Sequence, residues 1–156
     1  MASLDDIDRR ILAELSRDGR MSVRALAESL HISRANAYAR VERLRAARVI
    51  TGFRATIDPV AAGLGTTAYV TVNLRQADWR LVREQLRALP GVVHLALVGG
   101  EFDVILLVRV RDNADLRRLI LDVIQGMPGV VSTRTLLVFE EPDLPLLTAD
   151  GLPGDR

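Results

Sequence analysis

The sequence predicts an α+β protein with an N-terminal winged helix-turn-helix and a C-terminal ferredoxin-like βαββαβ domain. Residues 22–44 have the apolar spacing of two helices joined by a very tight turn. The thirteen residues that begin at Leu81 are similar to the thirteen that begin at Leu119. Each copy has the pattern of a helix that ends at Pro-Gly and is followed by an apolar strand. With one further strand before each helix, the two copies give the order βαββαβ.

The predicted domain boundaries follow from a change of hydrophobic period near residue 60, where Asp58-Pro59 breaks the pattern. We therefore predict a first domain at 4–63, which holds the helix-turn-helix, a second domain at 64–141 and a Pro- and Gly-rich tail at 142–156.

The N-terminal half predicts three helices. Residues 5–17 begin with Asp5 and Asp6, where the helix dipole favours acidic side chains, and carry one apolar face formed by Ile7, Ile11, Leu12 and Leu15. The second helix has an apolar stripe of Leu26, Ala27 and Leu30, and Ile32 fills the turn after it. Ser33 is placed to cap the third helix, whose inner arc is Ala37, Val41, Leu44 and the stem of Arg48.

The outer face of the third helix fits a DNA duplex. Small side chains at Ala35 and Ala39 allow close approach in a major groove, and Asn36 can pair bidentately with adenine. We interpret Arg40, Arg43 and Arg45 as phosphate contacts that fix register. The alternative is an ordinary amphipathic helix with a solvated charged face. The predicted DNA-binding residues are Ser33, Arg34, Ala35, Asn36, Tyr38, Ala39, Arg40 and Arg43.

Charge is concentrated around this helix. The chain has 21 basic and 20 acidic residues, for a net charge of +1. Residues 20–56 hold eight Arg and two Glu, a net charge of +6, whereas residues 61–156 hold ten Arg and twelve acidic residues, a net charge of −2. Local basicity of this kind indicates contact with a polyanion such as double-stranded DNA.

Composition excludes several classes of protein. No apolar run has the length of a membrane span, and residues 1–15 carry acids and Arg where a signal peptide is apolar, so we expect a cytoplasmic protein without membrane contact. There is no Cys, and His31 and His94 are the two His, which leaves almost no ligands for a metal site. Without a nucleophile-base pair or a phosphate-binding loop, we expect no enzyme and no cofactor, although an enzyme's allosteric subunit could share the second domain.

The remaining pattern is that of strands. Residues 49–57 alternate as a wing strand is expected to, and further strands are predicted at 66–74 and 102–111. The strands at 66–74 and 102–111 are apolar on both faces; in the first of them, for example, Val70 lies on one face and Tyr69 on the other. Two helices cover only one face of a sheet, so we expect the sheets of two subunits to stack in a symmetric homodimer.

Several short motifs together resemble one family. They are Leu4-Asp5-x-x-Asp8-x-x-Ile11-Leu12, Asp18-Gly19-Arg20, Leu26-Ala27, Ile32-Ser33, Arg40-Val41-x-x-Leu44, Val49-Ile50-x-Gly52-Phe53 and Val98-Gly99-Gly100-Glu101-Phe102-Asp103. The chain from residue 4 to about 140 resembles the feast/famine (Lrp/AsnC) family of prokaryotic transcription regulators. The resemblance implies a winged helix-turn-helix and a ligand-sensing RAM domain at 64–141, which dimerises and assembles further into octamers or similar discs.

The resemblance also implies a small effector, usually an amino acid, bound between sensing domains near a Gly-x-x-Asp loop, here Gly100 and Asp103. The residues allow this, because glycine backbone N–H groups can hold a carboxylate and an acidic side chain can meet an ammonium. A glycine hairpin whose Asp caps the turn is the alternative. The predicted effector-binding residues are Gly99, Gly100, Glu101, Phe102 and Asp103.

The expected function is therefore sequence-specific DNA binding by a transcriptional regulator, with binding or assembly modulated by an amino-acid effector. The alternative is a DNA-organising protein that bends or wraps DNA without an effector.

Overall fold

The structure, a computed structural model, describes residues 4–75 and 79–142. The chain forms two compact units, which meet in the sequence between Thr56 and Ile57. Residues 57–63, which the sequence analysis placed in the first domain, group with the second unit. All of the predicted tail except Pro142 lies outside the described residues.

Three helices form the first unit, as predicted: α1 (Asp6–Arg17), α2 (Val23–Leu30) and α3 (Arg34–Ala46). Each begins at a side-chain cap. Asp5 and Asp8 form a capping box on α1, the Ser22 hydroxyl accepts a hydrogen bond from the Ala25 N–H, and the Ser33 hydroxyl accepts one from the Asn36 N–H. The predicted cap at Ser33 is therefore confirmed.

The core of this unit is the set of apolar positions that the helical periods select, and its buried members are Ile11, Leu26, Leu30, Val41 and Leu44. The prediction for Arg48 is wrong. Helix α3 ends at Ala46, and Arg48 adopts a left-handed backbone conformation with φ of 54° and is exposed. This reversal lets the Val49 and Ile50 N–H groups donate to the Leu44 carbonyl, which closes the end of the helix.

The wing strand expected at 49–57 is also absent from the described residues. Val49 and Ile50 pack against the helical core, but from Thr51 onward the segment has no regular structure. A strand requires a pairing partner for its backbone groups, and no such pairing is formed by residues 51–57 within the part of the chain that the structure describes. The alternation of apolar and polar residues was therefore not sufficient to form a strand here, and two of its apolar residues, Phe53 and Ile57, are exposed.

The second unit is the predicted ferredoxin-like sandwich. Its elements are β1 (Thr66–Leu74), α4 (Trp79–Arg87), β2 (Val92–Leu97), β3 (Val104–Val110), α5 (Asn113–Arg118), a π-helical turn (Leu119–Ile124) and β4 (Val130–Leu137). The strands form one antiparallel sheet in the order β2-β3-β1-β4. The helices cover one face of this sheet and bury Val70, Val72, Leu106, Leu86 and Ile124 against it.

The internal repeat is visible in the fold, because β2 and β4 start at Val92 and Val130, each following a Pro-Gly pair. The helices of the two copies differ. In the second copy the Gln125 N–H donates to the Ile120 carbonyl, five residues back, so the helix is widened. Positions five apart then lie on one side, which lets both Leu119 and Ile124 reach the core.

The other face of the sheet carries Tyr69, Thr71, Ile105, Arg109 and Leu136, as the alternation in β1 and its register with β3 and β4 require. Tyr69 is 37% exposed and Leu136 is 53% exposed. Within the described residues no helix covers this face, so it has the uncovered apolar surface that the sequence predicts.

Candidate functional site

The outer surface of α3 brings together most of the residues predicted to bind DNA. Its side chains are exposed at Arg34, Ala35, Asn36, Tyr38, Ala39 and Arg43. Ala37, Val41 and Leu44 face the core and fix which side of the helix is outside. Ser33 holds the helix start through its cap. The two alanines leave the centre of the exposed face flat, a shape that lets a helix backbone approach a groove closely.

Arg40 differs from its neighbours because it turns toward the start of α1. Its side chain is 19% exposed, and its Nη1 lies 2.7 Å from Asp5 Oδ2 and 2.9 Å from Asp8 Oδ1. Asp8 is completely buried, and Arg43 Nη2 lies 2.7 Å from its Oδ2. These arginines therefore compensate a buried carboxylate, a role that the sequence analysis did not assign to them.

The charges in this cluster stabilise one another. Hydrogen bonding from Arg40 holds the pKa of Asp5 below its usual range, and the bonds to Asp5 and Asp8 raise the pKa of Arg40. Arg40 also donates from Nε to Asn36 Oδ1, at 2.9 Å. Sequence reasoning named Asp8 only within a family motif and did not predict its role here, although the spacing of Asp5 and Asp8 matches a capping box.

Other arginines around α3 are more open to DNA. Arg34 is 61% exposed and 4.0 Å from Glu28, and Arg45 forms an exposed pair with Glu42. Exposed pairs of this kind contribute little and exchange readily for other partners. Arg48 and Arg54 form no ion pair within residues 4–75 and 79–142, so the basic charge predicted for this region lies at its surface.

The loop between β2 and β3 holds the residues predicted to bind an effector. Gly99 and Gly100 are exposed with open space at their Cβ positions, and Gly100 has φ of +131°, which favours glycine. Within the described residues, the backbone N–H groups of 99–102 make no hydrogen bond. The Asp103 carboxylate accepts from the Leu74 N–H at 2.7 Å and so ties the loop to the end of β1.

The loop also reaches the uncovered face of the sheet. Glu101 lies 3.5 Å from Arg134 Nη1, and the Arg134 guanidinium lies over the Phe102 ring, 5.5 Å from its centroid. On the helix side, a cavity of about 430 Å³ opens beside Asp103 and is lined also by Leu74, Trp79 and Leu97. No sequence pattern indicated this cavity, because its walls come from distant segments of the chain.

Comparison with known proteins agrees with this two-part architecture. Residues 4–45 match the model of the AsnC-type helix-turn-helix domain, and residues 67–144 match that of the Lrp/AsnC ligand binding domain. The chain belongs to the Lrp/AsnC family. It is 39% identical over 140 residues to the HTH-type transcriptional regulator AldR of Mycolicibacterium smegmatis, covering 88% of this chain and 82% of the relative. AldR of Mycobacterium tuberculosis is 39% identical over 142 residues, covering 89% and 79%.

Several solved structures have the same fold. Escherichia coli AsnC has a TM-score of 0.83 at 26% identity, covering 92% of this chain and 97% of that chain. The structure of MtbAldR has a TM-score of 0.75 at 35% identity, covering 92% and 96%. A Neisseria meningitidis regulator solved as an L-Met complex has a TM-score of 0.84 at 24% identity, covering 98% of each chain. This Lrp/AsnC protein is accordingly a DNA-binding transcriptional regulator with a ligand-binding domain.

Among residues 4–75 and 79–142, no helix has the length and hydropathy that a membrane-spanning segment requires. In the same part of the chain, no three His, Cys, Asp or Glu side chains lie together as ligands for a metal ion.

Proposed function

We propose that this Lrp/AsnC regulator reads DNA sequence through the exposed face of α3 and responds to an amino acid at the loop 99–103. The observation that carries the first half is the flat, exposed face centred on Ala35 and Ala39, in a segment with a net charge of +6. On that face Asn36 and Arg34 contact base edges. Ser33 and Tyr38 lie at its margins, and the N–H groups of Arg43 that Asp8 does not occupy remain for a phosphate.

The test selects binding sites from a pool of random duplexes with the full chain, then compares titrations on selected and random DNA at several salt concentrations. Asn36→Ala and Arg34→Ala should relax sequence preference. Arg45→Ala should weaken binding to both kinds of DNA and lower the salt slope by about 1. Arg87→Ala, a loss of the same charge in the second unit, is the control and should change neither quantity.

Equal loss of affinity on selected and random DNA for Asn36→Ala, Arg34→Ala and Arg45→Ala would contradict the proposed division of roles. Failure of the full chain to enrich any sequence would contradict sequence-specific binding altogether.

The effector site combines two kinds of group. The four backbone N–H groups at 99–102, which have no partner among the described residues, are available to a carboxylate, and the second oxygen of Asp103 is available to an ammonium. The neighbouring cavity, with Trp79 and Leu97 in its wall, has room for an apolar side chain. An α-amino acid carries a carboxylate, an ammonium and a side chain, and the L-Met complex of the Neisseria regulator fits this class of ligand.

A thermal-shift screen of the twenty amino acids with the full chain tests this proposal, because a ligand that binds only the folded protein raises its melting temperature. Gly100→Val should block the loop sterically and Asp103→Ala should remove the charge contact, so both should reduce the shift. DNA binding without effector should persist in both variants. An unchanged shift would place the site elsewhere, and lost DNA binding would support the capped-hairpin alternative.

The uncovered sheet face supports dimerisation. We propose that two copies stack through Tyr69, Ile105 and Leu136, and that further assembly produces an octamer or a similar disc. Since Arg134 on this face contacts Glu101 and Phe102, ligand at the loop is adjacent to the dimer surface and can shift assembly. Tyr69→Asp should shift sedimentation from dimer to monomer. A dimer of unchanged stability in Tyr69→Asp would contradict stacking through this face.

We propose a cytoplasmic location, because a DNA-binding regulator acts where the chromosome lies. We also propose that the protein has no catalytic activity. The effector-independent alternative, a DNA-organising protein, is tested by DNase footprints with and without the amino acid that raises the melting temperature. A footprint that shifts with ligand supports a ligand-gated regulator, and an identical footprint supports the organising role.

A further inference from the structure

We propose that Arg40 is a positioning residue for base reading: it fixes the side-chain amide of Asn36 with the oxygen inward and the nitrogen outward. At this position α3 then offers the DNA a hydrogen-bond donor, and the acceptor edge of guanine is its target. This inference rests on the proposed reading of DNA by α3. It replaces the two roles that the sequence suggested, a phosphate contact for Arg40 and adenine recognition for Asn36.

The acidic cluster at the start of α1 immobilises the guanidinium. Its Nη1 lies within 2.8 Å of both Asp5 oxygens and 2.9 Å from Asp8 Oδ1. Asp8 itself is held by its bonds to Arg43 Nη2 and to the Asp5 N–H. With 19% of its side chain exposed, Arg40 is poorly placed to reach a phosphate.

The fixed guanidinium directs Nε at the neighbouring turn of the helix, where Asn36 lies four residues earlier. Nε carries a hydrogen and accepts nothing, so only the amide oxygen of Asn36 can face it. The 2.9 Å bond to Oδ1 therefore determines which way the exposed amide points. The free end is Nδ2, with two donor hydrogens.

The consequence for recognition follows from the major-groove pattern. Guanine presents two adjacent acceptors, N7 and O6, whereas cytosine presents a donor. Bidentate pairing with adenine needs the amide oxygen to face the adenine amino group, and here that oxygen is turned toward Arg40 Nε. A held amide should therefore favour guanine over adenine and cytosine at one position of the binding site.

Arg40→Lys is the matched variant. Lysine keeps a positive charge facing Asp5 and Asp8, but it has a methylene where arginine has Nε. The fold should therefore persist while the bond to Asn36 is lost. Asn36→Asp is the second variant, because it still accepts from Arg40 but presents an acceptor outward, which matches the amino group of cytosine.

The experiment selects sites from random duplexes with the full chain and with Asn36→Ala, and the position that relaxes in Asn36→Ala is the one that Asn36 reads. We expect guanine there in the parent protein. In Arg40→Lys that preference should fall at least about fivefold at this position alone. In Asn36→Asp the preferred base should change to cytosine. Melting temperature and affinity for random DNA report separately on folding and on general binding.

Adenine at this position in the parent protein would overturn the proposal, and so would an undiminished guanine preference in Arg40→Lys. If selection succeeds but Asn36→Ala relaxes no position, this proposal and the base contact of Asn36 both fail, while sequence reading by the rest of α3 stands. If the parent protein selects no sequence, both fail together. A uniform loss of preference at every position in Arg40→Lys would show a structural role and would also overturn the positioning role.

Discussion

Asp8 is a completely buried charge in the first unit, and replacing it with Asn should be costly. The carboxylate receives bonds from Arg40 Nη1 at 2.9 Å and from Arg43 Nη2 at 2.7 Å. Asn keeps the shape but removes the negative charge and points donor hydrogens at donors. Removing one partner of a buried ion pair costs about 3–5 kcal/mol, because the remaining charge is left uncompensated. Since Arg43 is half exposed, we expect a loss of about 3 kcal/mol in this unit.

A loss of that size corresponds to a fall of roughly 12–24 °C in the melting temperature of a small domain. The full chain has two units, so hydrogen exchange of the α1, α2 and α3 amides should accompany calorimetry and assign the transition. Asp6→Asn is the control. Asp6 lies on the same helix, with 93% of its side chain exposed and an i,i+3 pair to Arg9, so its replacement should cost less than about 0.5 kcal/mol.

The triple replacement Asp8→Leu, Arg40→Met and Arg43→Met supplies a second check. If the cost arises from uncompensated charge, apolar replacement of Asp8 together with its two arginine partners should recover most of the stability. A melting temperature for Asp8→Asn within about 4 °C of that for Asp6→Asn would refute this account of the cluster.

Three further predictions concern stability. Because the hydrogen bond from Arg40 lowers the pKa of Asp5 in the folded protein, the stabilising contribution of Asp5 is present above its unfolded pKa and is lost as pH falls below about 4. The urea midpoints measured at pH 5 and pH 3 should therefore differ less in Asp5→Asn than in the parent protein. Gly91→Ala should lower the free energy of unfolding in urea by about 1–2 kcal/mol, because φ is +89° and a Cβ would lie 3.0 Å from a neighbouring side chain. Gly99→Ala is the control and should be neutral, because its Cβ would meet open space; equal effects of the two substitutions would contradict this reasoning. Leu86→Ala, at a completely buried position, should cost about 2–5 kcal/mol in the second unit by the same assay, and a loss below about 1 kcal/mol would contradict the assigned core.

Local patterns accounted for much of the architecture. Ser33 caps α3 as its position before the helix predicted, and β1 spans Thr66–Leu74, the predicted strand. The repeat predicted that a strand follows each Pro-Gly pair, and β2 and β4 do so. In each case the determinant is a short stretch of chain whose period or cap needs no distant partner. The predicted wing at 49–57 failed for the complementary reason, since a strand depends on a partner that its own sequence does not specify.

The sequence by itself therefore determined the helix-turn-helix, the order βαββαβ and the basic surface around α3, because periodicity, caps and charge are properties of neighbouring residues. Only the tertiary structure decided how the polar groups pair. Asp8 meets Arg43 across 35 residues of chain, and Asp103 meets the Leu74 N–H across 29. Whether an arginine on the outer face of a helix is paired within the protein or available to DNA depends on which carboxylate the packing brings within hydrogen-bond distance. That distance is set by the whole fold.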